Sequence, residues 1–472
     1  MKTLIFFIGL FASLFPGIVC AKIKLPPLLS DNLVLQQQAD VNFWGEAEPN
    51  AVVSIVPSWS SQEIRIKADA SGKWKTTIPT PSASFQSYSI VIRDQEPLTL
   101  NNVLIGEVWL ASGQSNMEMP VNGFMNCPVT HSNDVIADAG NHPFIRMVNI
   151  KQSLSTTPQE CAEGMWKVSE PEDTQWFSAT AYFYALHLQQ TLQVPIGIIH
   201  SSRGATAIEC WMPEELLKTY DGDYLKYGKD EAVRDTDRPM VWFNGMIHPC
   251  RQYTIKGFIW YQGCGNVGHA DVYSQRMADL VGYWRTLWKE GDIPFYYVEI
   301  APCNYENNLE GITGALLREA QFNAQKQIPN SGMVSTNDLV EPFEYDQIHP
   351  ANKQEVGKRL AFQALNKTYG YKAIAADGPT YKNMEIQGNK ILLSFDHAEQ
   401  FNRWHDIKGF EVAGEDRVFY PAQAVLRGNQ VEVFSEKIVK PVATRYCFRN
   451  FLIGNLKNHR GLPVIPFRTD RW

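Results

Sequence analysis

From residue 22 to about residue 100 the apolar positions come in short runs: Val34-Leu35, Val41–Trp44, Val52–Val56, Ile64–Ala68, Trp74–Ile78 and Tyr88–Ile92. These runs are rich in β-branched and aromatic residues. Turn formers such as Glu48-Pro49-Asn50 and Asp69-Ala70-Ser71-Gly72 separate them, so residues 22–100 read as a small antiparallel β-domain. After Asn101 the rhythm changes. Apolar runs at Val103–Leu110, Phe144–Ile150, Pro195–His200, Gly257–Tyr261, Phe295–Ile300 and Met333–Thr336 read as buried strands.

Helical spacing fills the gaps between several of these strands. Ala181, Ala185, Leu188 and Leu192 share one face, as do Met277, Leu280, Val281, Trp284 and Trp288. Leu316, Leu317, Ala320 and Ala324 make a third, and Asn352 with Glu355 forms a helix-starting cap ahead of Val356, Leu360 and Ala364. Alternating strands and helices predict a mostly parallel sheet covered on both faces over residues 101–372. Strand patterns return over 373–472, at Ile391–Phe395, Phe410–Ala413, Ala424–Leu426, Val431–Phe434 and Ala443–Phe448. The pattern leaves open whether these join the N-terminal strands in one module.

The chain's 472 residues exceed the usual size of one domain, and 44% apolar residues suffice for large cores. A formal charge of −7 with no basic run argues against a nucleic-acid partner. Met1-Lys2, followed by the apolar stretch Leu4–Val19 and a small residue at Ala21, reads as a secretory signal over 1–21. The stretch is short for a membrane span, so export across an inner membrane to the periplasm is expected. Cys20 raises lipidation as an alternative, against which stands the bulk of Val19. Seven cysteines follow Cys20, an odd number that leaves at least one free thiol. Their wide spacing makes no metal framework, and Cys127 with Cys161 is a disulfide candidate in an oxidising compartment.

The candidate chemistry starts where Val103–Leu110 runs into the small polar segment Ser112-Gly113-Gln114-Ser115-Asn116. A strand ending in a tight turn places Ser115 at the carboxyl end of a sheet, where open α/β folds bind ligands. Asp346-Gln347-Ile348-His349-Pro350 supplies a carboxylate and an imidazole three residues apart. Serine, histidine and an acid are the parts of an activated nucleophile. His349 would take the serine proton and return it to the leaving alcohol. Asp346 is the expected orienter, with Asp338, Glu341, Glu344 and a backbone carbonyl as rivals.

GQSNM at 113–117, SSRGATAIECW at 201–211, WYQGCGN at 260–266 and DQIHP at 346–350 together resemble the SGNH-hydrolase superfamily. Within it they are similar to the sialate O-acetylesterase and acetylxylan-esterase branch of carbohydrate esterases. The resemblance extends from residue 29 to residue 472. It implies a flavodoxin-like three-layer αβα core with flanking antiparallel β segments, and a serine esterase that needs no cofactor or metal. It also implies oxyanion donors at the backbone N–H of Ser115, at Gly204 and at the Gln262 side chain.

Two departures stand out. Many relatives carry Gly-Gly-Thr where this chain has Gly204-Ala205-Thr206, and Cys264 occupies a position that is often glutamate. Arg203, Glu209 and Asn266 are candidate substrate contacts, Arg203 because a planar cation suits a sugar carboxylate. The expected substrate is an acetylated sugar. O-acetylated sialic acid leads, acetylated xylan or another plant glycan is the alternative, and a catalytically silent carbohydrate-binding protein is the rival of another class.

Overall fold

The computed structural model describes residues 23–402 and 406–472. The expected signal segment, 1–21, lies outside the described residues. The central sheet runs, in spatial order, through Ser331–Val334, Phe295–Val298, Gly257–Tyr261, Pro97–Gly113, Ile196–Ser202, Ile145–Asn149 and the short Lys167–Val168. All neighbours pair in parallel except the last two. Numbered along the chain, the six parallel strands lie in the order 2-3-1-4-5-6. The first strand is therefore central, between the strands of residues 196–202 and 257–261.

Alternate residues of that first strand face opposite layers. Val108 and Leu110 belong to a core shared with the helices Ala270–Trp288 and Thr313–Ala324. Trp109 and Ala111 point into a second core with Ala179–Leu192 and Lys353–Lys367. Burial on both faces explains why the sequence reads as a continuous apolar run instead of an alternating one. Trp109 is fully buried, edge-on to Tyr184 at 5.3 Å, and donates Nε1–H to the Tyr369 hydroxyl at 3.2 Å. The Asn352 side chain accepts the Glu355 N–H at 3.1 Å, which is the expected cap.

The first strand is longer than its apolar run. It spans Pro97–Gly113, 17 residues. Its first half pairs antiparallel with Ser84–Arg93 and in parallel with Val34–Gln36, and its second half forms the centre of the parallel sheet. One strand thus passes through residues 100 and 101, where the composition changes. Asp40–Glu46 and Lys73–Pro79 form a separate antiparallel ribbon beside it.

The C-terminal segment folds as two four-stranded antiparallel sheets around its own core of Ile391, Leu393, Val412, Val431, Val433 and Tyr446. The N-terminal strands lie in other sheets, so the two β segments are separate modules. Ion pairs tie the C-terminal module to the central one. Buried Asp338 accepts two bonds at 2.7 Å from Arg359 and faces Lys457 at 2.6 Å, and Arg468 pairs with Glu319 at 2.9 Å. Among the described residues no helix is long and apolar enough to cross a membrane.

Candidate active site

Gly113 ends the central strand at φ +141, and a Cβ there would lie 2.2 Å from the Tyr261 carbonyl oxygen. Only glycine fits between the two strands while making this turn. The next residues form the four-residue helix Ser115–Glu118, so the serine emerges at the carboxyl end of the central strand. His349 reaches it from the loop before the helix Lys353–Lys367, with Nε2 2.7 Å from Ser115 Oγ. For Nε2 to accept the hydroxyl proton, the neutral ring must carry its own proton on Nδ1. Burial, aided by the positive charge of Lys353, lowers the His349 pKa to about 4. The imidazole is therefore neutral and ready to act as a base at ordinary pH.

Several side chains fix the histidine loop. Asn116, next to the serine, donates Nδ2–H to the Ile348 carbonyl at 2.9 Å and accepts from Lys353 Nζ at 2.9 Å. Lys353 also donates to the Pro350 carbonyl. It is buried, and burial lowers its pKa to about 7. Glu344 clamps the loop at both ends, accepting the N–H of Glu341 at 2.8 Å and of Ala351 at 2.9 Å. Phe124 packs edge-on against the imidazole, with ring centroids 5.3 Å apart.

The acids fall differently from the sequence reading. Asp346 is exposed, and its Oδ1 accepts from Asn304 Nδ2 at 2.7 Å. Among the described residues no hydrogen bond joins it to His349. The neighbour of Nδ1 is the Cys127 thiol, 3.8 Å away, which itself donates to Gln347 Oε1 at 3.3 Å. Asp338 is consumed by Arg359 and Lys457, and Glu344 by backbone amides, so neither orients the ring. Cys127 and Cys161 are free thiols, not a disulfide.

The second block follows the strand Ile196–Ser202. Its register sets Ser202 opposite Gly113, and Arg203 N–H donates to the Gly113 carbonyl at 3.1 Å. Gly204 thereby lies against the serine, since a Cβ on it would be 3.3 Å from Ser115 Cβ. Its N–H donates to the Glu118 carboxylate. Ala205 adopts φ +61, the left-handed conformation that costs a non-glycine residue about 1–2 kcal/mol.

The third block lies behind the second. Gln262 is fully buried, and both hydrogens of its amide are used, toward the Thr206 carbonyl at 3.0 Å and Asn266 Oδ1 at 2.8 Å. Its Oε1 accepts from the Tyr273 hydroxyl at 2.8 Å. In this geometry Gln262 holds the Gly204 loop in place and has no amide hydrogen free for a carbonyl oxygen. Asn266 and Glu209 continue the same buried network. Asn266 donates to Glu209 at 3.0 Å and accepts the Ile208 N–H at 2.8 Å, while Glu209 pairs with Arg276. Both side chains are held in this buried network.

Arg203 remains at the surface of the site. It stacks on Trp242 at 5.4 Å and faces Asp235 at 3.4 Å. Burial raises the Cys264 pKa to about 11, which keeps it a thiol. A cavity of about 1140 Å³ lies elsewhere. Lys256 and Pro294 on its wall precede the strands Gly257–Tyr261 and Phe295–Val298, at the end opposite Ser115.

Residues 105–366 match the family of carbohydrate esterases described as sialic acid-specific acetylesterases. This chain belongs to that family. The acetylesterase match spans Ser115, Gly204, Gln262 and His349. Human sialate O-acetylesterase is 27% identical over 415 residues, covering 82% of this chain and 79% of the relative. The mouse sialate O-acetylesterase is 26% identical over 453 residues, covering 82% and 81%. The crystal structure of a carbohydrate acetylesterase from Xanthomonas citri superimposes with a TM-score of 0.86 at 33% identity, over 96% of this chain and all of that one. Among the residues that pattern reading missed, Asn116 lies inside the serine motif, Glu118 directly follows it, and Glu344 was weighed only as an orienter. Lys353 follows the recognised helix cap, and nothing in its local sequence signals burial.

Proposed function

We propose that this acetylesterase is a serine enzyme that removes acetyl groups from sugar hydroxyls. The 2.7 Å contact between His349 Nε2 and Ser115 Oγ carries this reading. Ser115 attacks the acetyl carbonyl while His349 takes its proton, then returns it to the departing sugar hydroxyl. Water, activated by the same imidazole, releases acetate. The backbone N–H groups of Ser115 and Gly204 are the proposed donors to the oxyanion, a role in which one donor is worth about 2.7–4 kcal/mol. Asp346 is the proposed partner of the imidazolium. It is exposed, accepts from Asn304 and lies three residues from His349, so it can turn toward the ring when positive charge develops there. Proton transfer and charge stabilisation are thereby assigned to protein groups, and the proposed mechanism needs no metal. Export through the segment 1–21 belongs to the same proposal.

The relatives named sialate O-acetylesterase favour O-acetylated sialic acid as substrate. A neutral acetylated glycan is the second reading, favoured by Arg203, whose guanidinium already faces Asp235 and Trp242. Acetate release measured side by side from O-acetylated sialic acid and acetylated xylan decides between them. Ser115→Ala should abolish both; activity within tenfold of the parent would refute the serine mechanism. No acetate release from either substrate or from 4-nitrophenyl acetate would favour a silent carbohydrate-binding protein.

A further inference from the structure

Glu118 is the last residue of the short helix that begins at Ser115, and a spacing of three puts the two side chains on one helical face. Its Oε2 accepts the Gly204 N–H, and its Oε1 accepts from Gln152 Nε2 at 2.7 Å. A Cβ placed on Gly204 would lie 3.0 Å from Glu118 Oε2 and 3.3 Å from Ser115 Cβ. Carboxylate, donor and nucleophile therefore converge on one spot. Gln152 Oε1 in turn accepts from Arg203 Nη1 at 3.4 Å, so the carboxylate is held by Gln152 as well as by Gly204.

We infer that Glu118 is a built-in occupant of the oxyanion donor at Gly204 and a positioning residue for the acyl group. The inference rests on the serine-esterase reading above. In the resting enzyme the Gly204 N–H is satisfied by an anion, and a charge-assisted bond of that kind is roughly twice as strong as one to a neutral carbonyl. An ester carbonyl displaces it poorly in the ground state. The tetrahedral oxyanion carries a full charge and competes on equal terms. Acetate, the product, meets a second carboxylate at the same donor and is repelled. Glu118 thus lowers affinity for ester and product while leaving the donor in place for the transition state.

The test uses the full chain, with sodium acetate as the probe and 4-nitrophenyl acetate as substrate. Glu118→Gln keeps the size of the side chain and removes its charge. Acetate inhibition should strengthen about tenfold, the gap between a charged and a neutral acceptor at one amide. KM should fall several-fold with kcat within about threefold, because the donor and the nucleophile are untouched. In protein labelled with ¹⁵N-glycine, the Gly204 amide proton should resonate far downfield and ignore acetate. In Glu118→Gln it should move upfield and respond to acetate.

An acetate inhibition constant and a Gly204 shift that both stay at their parental values would overturn the proposal. So would a tenfold loss of kcat in a folded Glu118→Gln, which would make the residue a structural clasp. Should that variant not fold, Glu118→Asp keeps the charge but shortens the reach, and the same two measurements apply. Turnover retained by Ser115→Ala would instead refute the serine reading. Acetate titration of the Gly204 amide is independent of turnover, so the two failures are distinguishable.

Discussion

The sharpest consequence of the site's electrostatics lies in its pH dependence. Histidine ordinarily titrates near 6.5, but in this protein burial and then the Lys353 charge bring His349 to about 4. Because the acid limb of kcat/KM reports the free enzyme's base, it should lie near pH 4. With a pKa of about 4, about 97% of the enzyme carries neutral His349 at pH 5.5; with an unperturbed value of 6.5 only about 9% would. The ratio of kcat/KM at pH 5.5 to that at pH 7.5 is therefore expected to be above about 0.9, against about 0.1 for an unperturbed ring. Initial rates of acetate release from 4-nitrophenyl acetate at fixed times, quenched before reading, measure this between pH 3.5 and 8.

The fold responds to acid in the same window. A histidine whose pKa is depressed on folding supports the native state above its unfolded value. That support is lost as pH falls from about 6.5 through the folded value. His200, buried beside Asn149, is also brought to about 4 by burial and adds to the loss. Tryptophan fluorescence at each pH separates unfolding from titration of the base. Lys353→Met removes the neighbouring charge and should move the limb upward. An acid limb near 6.5 or higher in the parent enzyme would refute the reasoning. It would mean that an anion, with Asp346 the obvious one, already rests on the ring before substrate arrives.

Asp346→Asn is expected to cut kcat by about a hundredfold while leaving the kcat/KM limb in place, because Asp346 meets only the imidazolium; an unchanged kcat removes it from the mechanism. Glu344→Ala frees both ends of the histidine loop and should cost at least about tenfold in kcat with KM nearly constant, since a small misplacement of a catalytic group is costly. Parental kcat would show that the clamp is dispensable. Arg359→Met leaves the buried Asp338 with Lys457 alone and should destabilise the protein by about 3–5 kcal/mol in urea unfolding; a loss under 1 kcal/mol would show that Lys457 suffices. Ala205→Gly relieves a left-handed alanine and should leave stability the same or up to about 1 kcal/mol higher, with activity retained. A clear loss would mean that the methyl group packs usefully.

How much of this was visible beforehand depended on how local each signal was. The strand that carries Ser115, the cap at Asn352 and the meeting of Ser115 with His349 follow from runs, caps and motifs a few residues long. Strand order does not. Nothing in the apolar pattern tells that the strand of residues 145–149 lies outside that of residues 196–202. The hydrogen-bond partners of Gln262, Glu209 and Asn266 were not legible for a similar reason. These three residues come from two separate motifs, and which way the Gln262 amide points depends on Tyr273 and Thr206, which no spacing rule relates to it. Cys127 beside His349 depends on a fold-back of more than two hundred residues, and the sequence carries no trace of it.

The strand Pro97–Gly113 has a consequence for how this protein comes apart. Its first half is stitched to the N-terminal sheet and its second half ends two residues before Ser115, so no hinge lies between the two regions. A cut between residues 100 and 101 would sever a hydrogen-bonded ladder in mid-strand. It would also bare the Leu104–Gly106 edge that Val34–Gln36 now covers, and an unpaired edge of that kind invites association. Melting of the N-terminal strands and loss of the serine's position should therefore register as a single cooperative transition, with activity and β-signal disappearing together.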